Sequence, residues 1–166
     1  MCTADRMSVV PAVDHSGRSG SSAVRTIERP DALDYTLQGR ATWLKSRSRD
    51  VYARAVSLFE RAMTLDPGSI EAQSWLATEL ASRALDGLTE TPTADIGRAE
   101  ELAAQAVAAS PRNQHAHFAK GQVLRAQRRP QEAIPEYEMV IALNRNHVNA
   151  LRLSVGASST PERSRR

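Results

Sequence analysis

A chain of 166 residues, 41% hydrophobic and 25% charged, has the make-up of one soluble domain with tails, and no apolar run approaches the ~18 residues that a membrane span requires. Its net charge of +3 and pI near 9.5 point first to nucleic acid, yet residues 1–30 hold four Arg against three acids and 157–166 hold three Arg against one, so the intervening 31–156 is neutral and a phosphate-binding role is not expected. The single cysteine, Cys2, excludes internal disulfides and a cysteine metal cluster; with residues 7–13 too short and interrupted for a secretory h-region, the expected compartment is a reducing cytoplasm.

Residues 1–30, rich in Ser, Gly, Arg and Val without a period, read as a disordered leader. Asp31 follows Pro30 as a helix N-cap, with Asp34 near the positive helix end, and opens a first helix over 32–45. The break S-R-S-R-D leads to a second helix over 50–65, striped by Ala53, Val56, Leu58, Phe59, Met63 and Leu65. Asp66-Pro67-Gly68 stops it, and Ser69 caps a third over 70–85, whose buried face is Trp75, Leu76, Leu80 and Leu85. The run D-G-L-T-E-T-P-T-A-D, 86–95, reads as a loop, with Thr93 or Asp95 starting a fourth helix over 94–109.

Pro111 and Asn113 punctuate before a fifth helix over 114–126, where Ala116, Ala119, Val123, Leu124 and Ala126 recur at helical steps. After a break at 127–129 the sixth runs over 130–143 on Ala133, Ile134, Tyr137, Val140, Ile141 and Leu143. Pro130 suits its first position, whereas Pro135, five residues inside, implies a local bend. So short a connection makes the fifth and sixth helices an antiparallel hairpin. The run H-V-N-A-L-R-L-S-V opens one more helix, lying over the sixth as a cap, with Leu151, Leu153 and Val155 exposed; it fades into a basic, disordered 157–166.

One hairpin cannot bury both its faces, and the sequence contains others like it. S-L-F-E-R-A-M-T-L-D-P, E-L-A-A-Q-A-V-A-A-S-P and Y-E-M-V-I-A-L-N-R end at Pro67, Pro111 and Arg145; the second interval is 34 residues and the first is 44, a 34-residue period with ten inserted. Such a period resembles the tetratricopeptide repeat (TPR), W-x2-L-G-x2-Y followed by A-x3-F and P. Tyr35, Gly39, Ala55, Phe59 and Pro67 match in the first copy, with about four extra residues between its helices. Leu76, Ala77, Leu80, Ala99, Ala103 and Pro111 stand at these places in the second, and Gly121, Leu124, Ala133 and Tyr137 in the third. Trp75 is shifted from the usual aromatic place and Ala103 replaces the bulky aromatic. The resemblance implies an all-α fold, a right-handed α-solenoid of about three TPR hairpins (32–67, 70–111 and 114–145), with a partial fourth at 147–156 as the capping helix. Small Ala55, Ala99 and Ala133 allow close helix approach, and Phe59 and Tyr137 fill the gap to the next hairpin.

Convergent chemistry is not expected. His115 and His117, two apart on a helix, point about 200° from each other, cannot share a metal, and read as surface or groove residues. No G-x-S-x-G setting and no glycine-rich phosphate loop is present, so no enzyme, cofactor or metal is expected. The family instead lines an inner groove with the first helix of each pair and receives a peptide or partner helix there. By that resemblance Thr36, Arg40 and Trp43 face it from the first helix, Glu71, Ser74, Thr78 and Ser82 from the third, and His115, Phe118, Gln122 and Arg125 from the fifth. The paired Lys/Asn positions by which chaperone-docking members hold a terminal carboxylate are missing. The implied function is a scaffold or adaptor with a protein or peptide partner, no nucleic acid and no membrane, with the C-terminal helix as a homodimer contact. D-A-L-D-Y-T-L-Q-G-R and H-A-H-F-A-K-G-Q-V-L-R-A-Q also resemble the repeat arrays of bacterial class III adenylate cyclases or winged-helix regulators. That second resemblance implies a stand-alone or truncated sensor half without the catalytic part.

Overall fold

The computed structural model describes residues 31–42, 45 and 47–158; the expected leader, the expected tail from 159 onward, and Trp43 lie outside them. The described residues form seven helices and no strand: α1 (Ala32–Ala41), α2 (Arg49–Leu65), α3 (Ile70–Leu85), α4 (Pro92–Ala109), α5 (Gln114–Ala126), α6 (Pro130–Leu143) and α7 (Val148–Ser158). They pair as successive hairpins, α1 with α2, α3 with α4 and α5 with α6, and each hairpin packs on the next, with α7 laid against α6. The fold is a helical-repeat solenoid.

Local chemistry sets most of the boundaries. Asp31 and Asp34 form a reciprocal capping box at 2.9 and 3.0 Å, Ser48 and Ser69 accept from the amides of Val51 and Ala72, and Asn113 accepts from His115 and Ala116. α1 stops at Ala41, short of the expected residue 45, because the Thr42 hydroxyl donates to the Gly39 carbonyl at 2.6 Å and closes the helix end. Pro130 takes the first turn of α6 as expected, and Pro135 stands inside that helix without ending it. α7 continues through Gly156 to Ser158.

The ten extra residues of the middle hairpin are not the single loop expected over 86–95. α3 has 16 residues against 13 in α5, α4 has 18 against 14 in α6, and the connection spans six residues against three. Pro92 starts α4 two residues early, since its fixed φ and absent N–H suit the first helical position. The connection is fastened to its surroundings. Asp86 accepts from Arg47 at 3.0 Å and from the Tyr52 hydroxyl at 2.6 Å, Glu90 pairs with Arg49 at 2.7 Å, and Arg83 grips Asp95 with two bonds of 2.6 Å.

Two apolar clusters form the core, and both are built on close approach. Gly39 faces Phe59 and Gly121 faces Tyr137 so tightly that a Cβ would stand 2.6 and 2.5 Å from the rings. Ala55, Ala99 and Ala133 are fully buried, which lets the second helices lie near their neighbours. One cluster joins Phe59, Leu76, Leu80, Leu102 and Val123 across α2 to α5; the other joins Phe118, Leu124, Tyr137, Val140 and Ala150 across α5 to α7. Five assignments change. Ala53, Leu65 and Leu85, read as buried, lie on the surface; Trp75, read as core, is only partly covered; Leu153, read as exposed, packs against the second cluster. Leu65 and Leu85 are the last residues of α2 and α3, where no neighbouring turn remains to cover them.

Candidate functional site

The first helices of the hairpins, α1, α3 and α5, lie side by side with α7 beyond them, and the residues expected to face a groove separate into two ends and a closed middle. At one end Arg40 of α1 pairs with Glu71 of α3 at 3.0 Å. The Arg40 guanidinium stands 5.5 Å from the centre of the Trp75 ring, and the His115 ring of α5 tilts against the same indole at 5.2 Å. Trp75 in turn stacks on Phe59 at 6.2 Å and 9°, so the plate is anchored to the core. Burial holds His115 below its ordinary pKa, helped by the charge of Arg40 and by His147 and opposed by Glu71. The result is an indole set among a cation, an imidazole and the Phe59 ring, a cluster that joins α1, α3 and α5 at this end of the wall.

The middle is closed. Ser74 and Thr78 are 0% and 1% exposed, their hydroxyls donating back along α3 to the carbonyls of Ile70 and Ser74 at 2.7 and 2.8 Å, and Thr36 does the same to Ala32. Small hydroxyl side chains bonded to their own helix allow the next helix to approach, and that approach covers them. Phe118 is 3% exposed, packed against Tyr137 at 5.9 Å and His147 at 4.8 Å; it is a core side chain whose edge reaches the wall.

At the other end α3, α5 and α7 enclose a recess of ≈ 90 Å³, to which Ser82, Phe118, Gln122 and Arg125 contribute from the expected set. Arg125 donates to the Gln122 carbonyl oxygen at 2.8 Å. Asn149 and Arg152 of α7 complete it, and they were missed although the repeat points to them: they follow His115 and Phe118 by one 34-residue period. Arg47 and Asp86, also at its rim, come from connections whose sequence carries no such signal.

His117 is neither a surface nor a groove residue. Its Nδ1 lies 2.7 Å from Glu136 Oε2 and its Nε2 2.9 Å from the Pro111 carbonyl, so it ties α5 to α6 and to the preceding turn. Burial alone would raise the Glu136 carboxyl; hydrogen bonds and charge from Lys120 and His117 hold it below the ordinary range. Among the described residues no group of three or more His, Cys, Asp or Glu could hold a metal ion, and no helix is long and apolar enough to cross a membrane.

No protein-family model and no curated protein sequence matches the chain. Solved structures do resemble its fold. The first TPR of Spaghetti (RPAP3), bound to the HSP90 peptide SRMEEVD, has a TM-score of 0.57 at 21% identity, over 77% of this chain and 93% of that one. The first TPR domain of human RPAP3 gives 0.58 at 20%, over 76% and 89%, and the Arabidopsis OM64 TPR domain gives 0.56 at 14%, over 76% and 93%. The solenoid is thus of the tetratricopeptide type.

Proposed function

We propose that this chain is a protein–protein interaction module, a TPR-type scaffold or adaptor that takes a peptide or partner helix along the wall formed by α1, α3, α5 and α7. The observation that carries the reading is the pairing of two unlike ends on one wall: the indole plate with Arg40, Glu71 and His115, and the recess with Gln122 and Arg125. Stacking surface with a few fixed polar groups is what recognition of an extended or amphipathic segment needs. Support also comes from the similar RPAP3 domain, which is bound to a heptapeptide, although the Lys/Asn pairs that would hold such a terminal carboxylate are missing here. The proposal assigns no catalysis, nucleic acid or membrane contact, and places the chain in the cytoplasm.

The test is selection of binding peptides from a displayed random library on the folded chain, then titration against variants. Arg40→Ala with His115→Ala, and separately Arg125→Glu, should each weaken a selected peptide at least about tenfold, the size typical of losing one well-made contact. Binding indifferent to both variants removes the basis of the reading. Phe118→Ala is no test of binding, since it opens the core.

A narrower form makes the module the sensor half of an adenylate-cyclase-like or transcriptional system. What favours it is that the two sequence runs resembling such arrays supply Arg40 and His115, which both lie against the Trp75 ring. A partner captured by crosslinking that belongs to neither class would remove it.

A further inference from the structure

We infer that His147 is an acid-sensitive latch for α7: its unprotonated Nδ1 caps the helix against the wall, and a proton there releases it. The consequence for binding, that mild acid withdraws one side of the groove, rests on the wall being a peptide groove. The leading helices α1, α3, α5 and α7 each open on a side-chain cap. Asp31, Ser69 and Asn113 accept through oxygen. His147, one 34-residue period after Asn113, accepts instead through a ring nitrogen, the Ala150 amide donating to its Nδ1 at 3.2 Å. An imidazole nitrogen accepts only while it carries no proton, so this cap exists in the neutral Nε2–H tautomer and in no other state.

The surroundings disfavour the charged ring. It lies 4.8 Å from the Phe118 ring, and burial there holds His147 below its ordinary pKa against the opposing effect of a bond to its own backbone. The positive end of α7 repels a cation at the same point. From α5 the neighbouring titratable group is His115, whose own pKa His147 helps to lower, so a proton on either ring weighs against one on the other. Glu71 of α3 acts on His115 and is already paired with Arg40. From α6 the titratable group at the Phe118 ring is Tyr137, whose hydroxyl burial pushes up to about 12, so it stays neutral. The charges flanking His147 along its own segment are the cations Arg145 and Arg152, and among the described residues no carboxylate pairs with it. An unfolded histidine takes its proton near pH 6.5 and the docked one only below that. The latch therefore contributes fully above about pH 6.5 and is lost as pH falls through the folded value. α7 is otherwise held by Ala150 and Leu153 in the second cluster, while Val148 and Leu151 face solvent. Its release takes Asn149 and Arg152 from the wall.

The experiment uses the whole chain, isotope-labelled and without ligand. Long-range proton–nitrogen spectra at about pH 7.5 should show His147 as the Nε2–H tautomer. Amide hydrogen exchange, corrected for its intrinsic pH dependence, should show protection of α7 falling at least about fivefold relative to α3 between about pH 7.5 and 5, the size of one lost cap. His147→Asn, which places the Asn113 cap here, should hold α7 at both pH values, and His147→Ala should leave it equally loosened at both. A proton on Nδ1 at about pH 7.5, or an α7 that loosens in acid alike in wild type and His147→Asn, overturns the latch while leaving the groove standing. A display-selected peptide should then lose at least about fivefold more affinity in acid on the wild-type chain than on His147→Asn. Equal losses overturn the control of binding by α7, and a selection that yields no peptide sinks the groove reading alone.

Discussion

The outer two hairpins and the middle one solve the same packing problem with opposite residues. In the first and third, a glycine on the leading helix admits a ring from the following one, Gly39 against Phe59 and Gly121 against Tyr137. In the middle, Ala77 and Ala103 occupy the equivalent places, both buried, with a methyl on each helix and no ring on either. The two solutions do not fill the same volume: two methyl groups are much smaller than a ring, so the middle seam is a different packing arrangement. The middle hairpin, lacking the ring, carries instead longer helices and polar fastenings, Arg83 to Asp95 and the Asp86 and Glu90 pairs to the α1–α2 connection.

The largest expected effect comes from moving one solution into the other hairpin. Gly121→Ala places a methyl inside contact distance of the fully buried Tyr137 ring and should cost about 3 kcal/mol by urea unfolding, the upper range for overpacking. Tyr137→Ala alone should cost about 4 kcal/mol through the cavity it leaves. Together they recreate the Ala–Ala seam, so the double variant should cost at least about 1 kcal/mol less than the two singles added. Strict additivity would mean that the glycine and ring are not one packing unit.

A smaller effect should separate the middle hairpin from the others. Burial pushes the Asp95 carboxyl upward, but bonds from Arg83, Thr89 and Thr91 and the charge of Arg83 outweigh it and hold the pKa below its ordinary value. A depressed acid stabilises the fold fully above its unfolded pKa, roughly 4, and loses that contribution as pH falls through the folded value. Asp95→Asn should therefore cost about 2–3 kcal/mol at neutral pH, the loss expected on breaking a mostly buried pair, and the gap to wild type should shrink below about pH 4. A pH-independent gap would mean that the ion pair is not the fastening.

The smallest concerns the two turns that follow the leading helices. Two residues beyond α3, Gly87 stands at φ 69° and the Leu88 amide donates to the Arg83 carbonyl at 2.8 Å; two residues beyond α5, Arg128 stands at φ 64° and the Arg129 amide donates to the Leu124 carbonyl at 2.8 Å. The turn is the same, but one site uses a residue strained there. Arg128→Gly should gain, and Gly87→Ala should lose, about 1 kcal/mol in thermal or urea unfolding. Equal and unchanged stabilities would show the left-handed positions to be relaxed in solution.

Much of this fold was legible in the sequence. Caps at Asp31 and Ser69, stops at Pro67 and Pro111, punctuation at Asn113, and the interval between them determine the helices and their phase, because each is a local preference repeated in register. Even Asn149 and Arg152 were within reach, one period beyond His115 and Phe118. Tertiary structure alone decided how deep each groove-facing residue lies. Periodicity says which way Ser74, Thr78 and Phe118 point, but whether they meet solvent depends on how closely α1, α5 and α7 approach them, a property of neighbours far away in the chain. It likewise decided that ten extra residues would lengthen two helices and one connection, and that Arg40, Trp75 and His115 would meet around one ring. Helix formation is governed by near neighbours along the chain; the depth and charge of a groove are set by the separation between helices, which no local pattern encodes.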